Sequence, residues 1–170
     1  MSGNAPNFAE LLASAKSSAI HLEMRDSYEP DGPNFLAWRE TGTLAGFGEG
    51  SRWHSLIGSA VARGVTVRRA RIVYEPVTDY IRFEHAVISL HNIPAGEPVR
   101  WLPRRHASDL ALPGNDFWVF DGRLVRFHHF SGDGHSLDEE FSEDPDVIKL
   151  CTTAFDAVWE RADHADYQPA

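Results

Sequence analysis

Residues 65–91 have the sequence VTVRRARIVYEPVTDYIRFEHAVISLH. The segment 65–74 is rich in β-branched side chains, which favours a strand, and the Glu75-Pro76 pair ends it. Alternation along this strand places two sets of side chains on opposite faces of a sheet: Arg69, Arg71 and Val73 on one face, and Ala70, Ile72 and Tyr74 on the other.

A helix is predicted directly after this strand. Thr78 or Asp79 can cap its start, and apolar residues then recur along one stripe until about His91. The segment Pro94-Ala95-Gly96 stops it. A strand followed by a helix is the repeating unit of α/β folds.

Further elements are predicted on both sides of this pair. In chain order they are a helix at 8–16, a strand at 18–25, a helix from Ser51 to Gly64, a short strand at 99–102, a hairpin of 116–120 and 124–130, a strand at 135–141 and a helix from Asp144. Residues 26–50 are rich in glycine and proline and are predicted to form a long loop. The order predicts a single α/β domain at 8–162, a mixed β-sheet covered by helices, with flexible ends at 1–7 and 163–170.

The last helix is the most clearly marked element. Asp144 caps it and Pro145 occupies its first position. Its apolar stripe consists of Val147, Leu150, Cys151, Ala154, Phe155, Val158, Trp159 and Ala162. Such a stripe predicts packing against the sheet.

Composition excludes several functional classes. The chain has 16 Lys and Arg against 25 Asp and Glu, a net charge of -9, which disfavours direct binding to a nucleic-acid backbone. The single cysteine cannot form an internal disulfide, and no charged-then-apolar leader opens the sequence. No apolar run approaches the roughly 20 residues that a membrane-spanning helix needs. We therefore expect a cytoplasmic protein without membrane contact.

The arginine-rich strand and the following helix supply most of the candidate ligand-binding residues. These are Arg69, Arg71, Asp79, Tyr80, Arg82 and Glu84. The planar guanidinium group suits carboxylate or phosphate, so Arg71 could bind a small anion. Alternatively, Arg71 forms an internal ion pair with Asp79 or Glu84 that holds the strand to the helix.

The segment DFWVFD at 116–121 supplies two further candidates. Alternation places Asp116, Trp118 and Phe120 on one face of the predicted strand. Asp116 and Trp118 either line a ligand pocket or belong to a central strand that is buried on both faces.

The sequence gives little support for a metal site or for a catalytic nucleophile. His128 and His129 are adjacent on a predicted strand and point to opposite faces, so at most one of them can join His135 in a zinc site. Cys151 lies on the buried stripe of the last helix, where a thiol behaves as a small apolar group. No phosphate-binding glycine loop and no nucleophile elbow is present. We therefore expect no metal and no cofactor, and the sequence identifies no catalytic residue.

Three segments resemble a known family. They are EPVTDYIRFE at 75–84, WLPR at 101–104 and DFWVFD at 116–121. The chain is similar over 8–162 to an uncharacterised actinobacterial domain family of roughly this length. Its members are typically encoded beside helix-turn-helix regulators. The resemblance implies a fold and a regulatory setting, but no activity.

The C-terminal stretch has a hairpin strand marked by Asp116-Phe117-Trp118, followed by a helix that ends with Phe155 to Trp159-Glu160-Arg161-Ala162. This stretch looks like the phospholipase-D-like effector domains that are attached to transcriptional regulators. Active members carry a His-x-Lys-x-x-x-x-Asp motif, whereas the lysines here, Lys16 and Lys149, do not follow a histidine at that spacing. The likeness implies a phospholipase-D-like half-domain without phosphodiester chemistry.

The leading hypothesis is a non-enzymatic regulatory or interaction domain that acts with a helix-turn-helix regulator and senses a small anionic ligand. The alternative is a small-molecule enzyme, tailoring or hydrolytic, that uses an Arg, Tyr and carboxylate cleft. A third hypothesis is a simple homodimer formed through an exposed sheet or aromatic patch.

Overall fold

The arginine-rich strand lies inside a six-stranded sheet in the computed structural model, which describes residues 6–162 and 167–170. The elements in chain order are α1 (Phe8–Ser14), β1 (Ser18–Glu23), α2 (Pro33–Thr41), α3 (Arg52–Ala62), β2 (Thr66–Val73), α4 (Asp79–Leu90), α5 (Asn92–Ala95), β3 (Val99–Pro103), β4 (Asp116–Phe120), β5 (Leu124–Phe130), β6 (Ser136–Ser142) and α6 (Pro145–Arg161). A short 3₁₀ turn follows β3.

The strand order is β3-β2-β1-β4-β5-β6. β1, β2 and β3 run parallel, whereas β4, β5 and β6 form an antiparallel half. The predicted mixed sheet of a single α/β domain is therefore confirmed. The parallel register brings Glu23 of β1 beside Arg71 of β2, and the antiparallel register brings His21 of β1 beside Trp118 of β4.

Each face of the sheet is covered by helices, as the alternation predicted. On one face Ala70, Ile72 and Phe117 pack beneath Phe155 and its neighbours on α6. On the other face α1 and α3 cover the opposite side chains of the central strands, and α4 covers the end of β2. The arginines at positions 69 and 71 point to this second face.

The sequence missed α2. Pro33 occupies its first turn and Gly42 ends it in the left-handed conformation, with φ of 74°. The helix is held by tertiary contacts, since the Phe35 ring lies 5.6 Å from that of Phe83 on α4. Its many glycine and proline neighbours made the whole segment resemble a loop.

The described end of the chain also differs from expectation. The sequence predicted a flexible tail at 163–170, but Tyr167 is buried and stacks on Trp101, with ring centroids 5.5 Å apart. Its hydroxyl donates to Glu75 at 2.6 Å. Residues 1–5 and 163–166 lie outside the described part of the chain, so their predicted flexibility stays a prediction.

No described helix has the length and apolar character needed to cross a bilayer.

The packing of α6 gives a stability prediction. Phe155 is fully buried, so Phe155→Ala should lower the free energy of unfolding by about 3–5 kcal/mol, because it removes apolar contacts and leaves a cavity. Leu150, which the sequence placed on the same stripe, is 44% exposed. Leu150→Ala is the control and should cost about 0.5 kcal/mol. Urea unfolding measures both, and equal losses would show that α6 does not pack as described.

Candidate ligand-binding site

A cavity of about 390 Å³ opens at the carboxyl ends of β1 and β2, on the face that α4 covers. Ligands of open α/β sheets bind at this edge. We call it the polar cavity, and its walls include His21, Glu23, Tyr28, Arg69, Arg71, Tyr80, Glu84 and Asp116. It therefore contains five of the candidate residues that the sequence indicated.

The floor of the polar cavity is a buried ion network. Glu23 bridges both arginines, with its oxygens 2.7 Å from Arg69 Nη1 and 2.6 Å from Arg71 Nε. Arg69 Nε also donates to Glu97 at 2.7 Å, and Arg71 Nη1 donates to Glu84 at 2.8 Å. Arg71 is 1% exposed and Glu97 is fully buried.

The local structure explains why these groups meet. Glu23 and Arg71 are register partners on adjacent parallel strands, and alternation turns both to the same face. Burial alone would lower the pKa of Arg71, but the carboxylates of Glu23 and Glu84 outweigh it and raise that pKa. The guanidinium group of Arg71 thus remains charged, and its carboxylate partners compensate its burial, as is usual for buried charges.

The network argues against the binding of an anion by Arg69 and Arg71. The guanidinium groups are enclosed and paired with acids of their own fold, so the internal ion pair with Glu84, one of the two alternatives, is the one observed. Three carboxylates, from Glu23, Glu84 and Glu97, surround two guanidinium groups. The floor is therefore net negative, and it does not favour an anionic ligand.

Asp116 borders the cavity at the start of β4. It accepts a hydrogen bond from the hydroxyl of Tyr28 and another, of 2.9 Å, from the amide of Met24. Burial raises its pKa to about 6, although the bond from Tyr28 opposes that shift. The carboxyl group of Asp116 therefore changes charge close to neutral pH.

Tyrosines form the side wall of the polar cavity. The Tyr80 hydroxyl donates to Glu84 at 2.9 Å, and the rings of Tyr28 and Tyr80 lie 6.0 Å apart. Phe130 contacts Tyr28 at 5.0 Å between ring centroids. Burial and the nearby Glu84 raise the pKa of Tyr80, so its hydroxyl stays protonated at neutral pH.

The remaining predicted residues have other positions. Trp118 is 4% exposed and stacks on His21 at 4.3 Å, so it supports the cavity from the core. Burial and the charge of Arg69 hold the pKa of His21 well below its usual value. Asp79 and Arg82 are exposed on α4 and are not brought into the cavity.

Sequence reasoning missed several members of the site, among them Glu23, Tyr28 and Glu97. Alternation from the predicted strand at 18–25 could have indicated that Glu23 faces one side of the sheet, but its partner depends on the register between strands. Tyr28 follows β1 in an irregular segment, and Glu97 precedes β3. Neither position carries a periodic signal.

In the described residues, no group of three or more His, Cys, Asp or Glu side chains is arranged to hold a metal ion. Cys151 is buried, and burial raises the pKa of its thiol to about 12. It lies on the buried side of α6 and packs against the sheet, as the sequence predicted.

Because Glu23 pairs with two buried arginines, its substitution should have a large effect on stability. Glu23→Gln should lower the free energy of unfolding by about 3 kcal/mol, because it leaves two buried guanidinium groups with one carboxylate fewer. Glu160→Gln makes the same change on the exposed side of α6 and should have little effect. Chemical denaturation measures both variants. A loss no larger than that of the control would show that the network does not stabilise the fold.

The raised pKa of Asp116 predicts that the free energy of unfolding depends on pH. Its pKa is about 6 in the folded state and roughly 3.9 in the unfolded chain, so the folded state binds the proton more tightly. This contribution to stability is present at low pH and is lost as the pH rises through 6. Between pH 7.5 and pH 4.5, the wild type should therefore gain about 2 kcal/mol relative to Asp116→Asn.

The control for this measurement is Asp156→Asn, the same substitution at an exposed position of α6. It should follow the wild type over the whole pH range. A constant difference between the wild type and Asp116→Asn at all pH values would contradict the raised pKa.

Two solved structures have a similar fold. The archaeal chromatin protein TrmBL2, whose structure shows a novel mode of DNA binding, is 16% identical, with a TM-score of 0.50 over 92% of this chain and 48% of that one. The present chain thus spans about half the length of that protein. Nuc from Salmonella typhimurium, a phospholipase D family member, is 12% identical, with a TM-score of 0.50 over 92% of this chain and 86% of Nuc. At these identities the likeness shows the fold alone, in agreement with the predicted phospholipase-D-like half-domain.

A comparison with curated proteins finds no match. Residues 6–169 match a family described as a domain of unknown function, DUF6879. The resemblance predicted an uncharacterised family of this kind, and its actinobacterial origin stays a prediction. Because the match spans nearly the whole sequence, the chain belongs to the DUF6879 family of domains of unknown function.

Proposed function

We propose that this chain is a regulatory domain that binds a small polar molecule in the polar cavity and acts on a helix-turn-helix regulator. The observation that carries the proposal is the cavity itself, about 390 Å³ in volume, at the sheet edge where α/β folds bind ligands. Its floor is organised by a buried network rather than by mobile surface groups.

The charge of the walls favours one class of ligand. The three carboxylates of the floor outnumber its two guanidinium groups, and ionised Asp116 adds a further negative charge. Tyr28 and Tyr80 present aromatic rings beside these acids. A small molecule with an ammonium group or several hydroxyl groups fits this environment, since ammonium groups bind both carboxylates and aromatic faces.

The net charge, the family resemblance and the fold support the regulatory role. The net charge of -9 disfavours direct contact with DNA, so an effect on transcription requires a DNA-binding partner. The resemblance to domains encoded beside helix-turn-helix regulators suggests that partner. The similar fold within an archaeal chromatin protein whose structure shows DNA binding supports such a setting.

An enzyme is the second candidate, and Asp116 favours it. A carboxyl group with a pKa of about 6 beside a cavity is suited to acid-base catalysis near neutral pH. Phosphodiester chemistry is not proposed, because neither lysine follows a histidine at the required spacing. In addition, Asp121 is used structurally, since it accepts bonds from the amides of Lys16, Ser17 and Ser18.

Co-purification tests the proposal directly. The resemblance implies that a helix-turn-helix regulator is encoded beside this chain, and the two proteins, expressed together, should form a complex at micromolar concentrations. Benzylamine, used as a probe for the polar cavity, should change the affinity of that complex. Ser136→Trp places a large ring at the cavity wall and should abolish the response to benzylamine.

The matched control is Ser55→Trp, which adds the same ring on the exposed side of α3. It should leave the response unchanged. Absence of a complex at micromolar concentrations contradicts the regulatory role. A complex that responds to benzylamine equally in the Ser136→Trp variant contradicts ligand binding in the polar cavity. Substrate turnover that Asp116→Asn abolishes would favour the enzyme instead.

A further inference from the structure

A second cavity of about 370 Å³ lies beside the polar cavity. We call it the arginine cavity, and its walls include Arg25, Arg104, the loop 112–115 and Asp116. It lies at the same edge of the sheet, where β1 and β3 end and β4 begins. The two cavities share the side chains of Asp116, His128 and Phe130.

The two arginines of this cavity differ from those of the buried network. Within residues 6–162 and 167–170, neither Arg25 nor Arg104 forms an ion pair with a carboxylate. Arg25 donates to the carbonyl of Ser131 at 3.0 Å, and Arg104 donates to the carbonyl of Met24. A guanidinium group has five N–H donors, so each retains donors for a ligand.

Aromatic rings hold both guanidinium groups in place. The Arg25 guanidinium carbon lies 5.4 Å from the centre of the Phe130 ring. That of Arg104 lies 4.5 Å from the centre of the Tyr74 ring. Stacked arginines of this kind lose less side-chain freedom when they bind a ligand than unsupported ones.

The acidic and basic neighbours leave the arginine cavity positive. Asp116 is the carboxylate in its wall, but both of its oxygens accept bonds from the chain, one from Tyr28 and one from Met24. Its pKa of about 6 also leaves part of the population uncharged near neutral pH. Burial and the charge of Arg126 lower the pKa of His128, which is therefore neutral. Among the residues of the cavity wall, two guanidinium charges thus face at most one carboxylate, while Asp133 interacts with Arg25 from outside the wall.

We propose that the arginine cavity binds the oxyanion group, phosphate or carboxylate, of a small molecule through Arg25 and Arg104. Paired guanidinium groups present planar forks of donors that match the oxygens of these groups. The expected anion site therefore lies not on Arg69 and Arg71, which acids of the fold neutralise, but on two arginines that no strand pattern singled out. This proposal goes beyond the function proposed above, since it does not require a regulator.

Titration with inorganic phosphate at constant ionic strength tests this site. Calorimetry should show saturable binding at a single site of the full chain. Arg25→Gln and Arg104→Gln should each weaken that binding by about tenfold or more, because each removes charged hydrogen bonds. Arg104→Lys keeps the charge but loses the planar fork, so its affinity should lie between those of the wild type and Arg104→Gln. A parallel titration with acetate distinguishes a phosphate site from a carboxylate site by the tighter ligand.

The charge control is Arg123→Gln, which removes one exposed cation in the turn between β4 and β5, at the opposite edge of the sheet. It should bind phosphate like the wild type. Ser136→Trp should also leave phosphate binding intact, which separates this site from the polar cavity. Thermal unfolding without phosphate identifies any variant that fails to fold. If only one of Arg25→Gln and Arg104→Gln folds, its phosphate affinity alone tests the proposal. No saturable binding up to about 50 mM phosphate and acetate, or an equal loss in Arg123→Gln, would overturn the proposal.

Discussion

The carboxylate of Glu23 lies between two arginines of the neighbouring strand, and the rest of the ligand-binding edge depends on that contact. A buried guanidinium group is tolerated only when a carboxylate lies beside it. Glu23 contacts both Arg69 and Arg71. Glu97 forms a further ion pair with Arg69, and Glu84 forms one with Arg71. The network connects β1, β2 and α4 with the segment before β3. It also forms a buried and net negative floor for the polar cavity.

Asp116 connects this network to its surroundings. It lies in the walls of both cavities and holds the segment after β1 through Tyr28 and Met24. Its charge near neutral pH therefore influences a negative cavity on one side and a positive one on the other. A molecule that carries both an ammonium group and an oxyanion could contact both cavities, because their walls are shared.

Much of the fold could be predicted from the sequence. The strand at 65–74 and the helix after it appear almost as expected, since β-branched content, alternation and capping residues are local signals. Alternation also placed Arg69 and Arg71 on the face opposite Ala70 and Ile72, as observed. The helix α2 was missed because its stability comes from the contact of Phe35 with α4, which no local pattern reveals.

The sequence by itself determined most of the elements, their order, the faces of the strands and the acidic charge, because each depends on residues close together in the chain. Only the tertiary structure decided which charges meet. Whether Arg71 faces a carboxylate or solvent depends on the register of β1 against β2 and on the position of α4, and both arise from contacts between distant segments. For the same reason Arg25 and Arg104, far apart in sequence, share one cavity, and only the packed sheet edge distinguishes them from the paired arginines beside them.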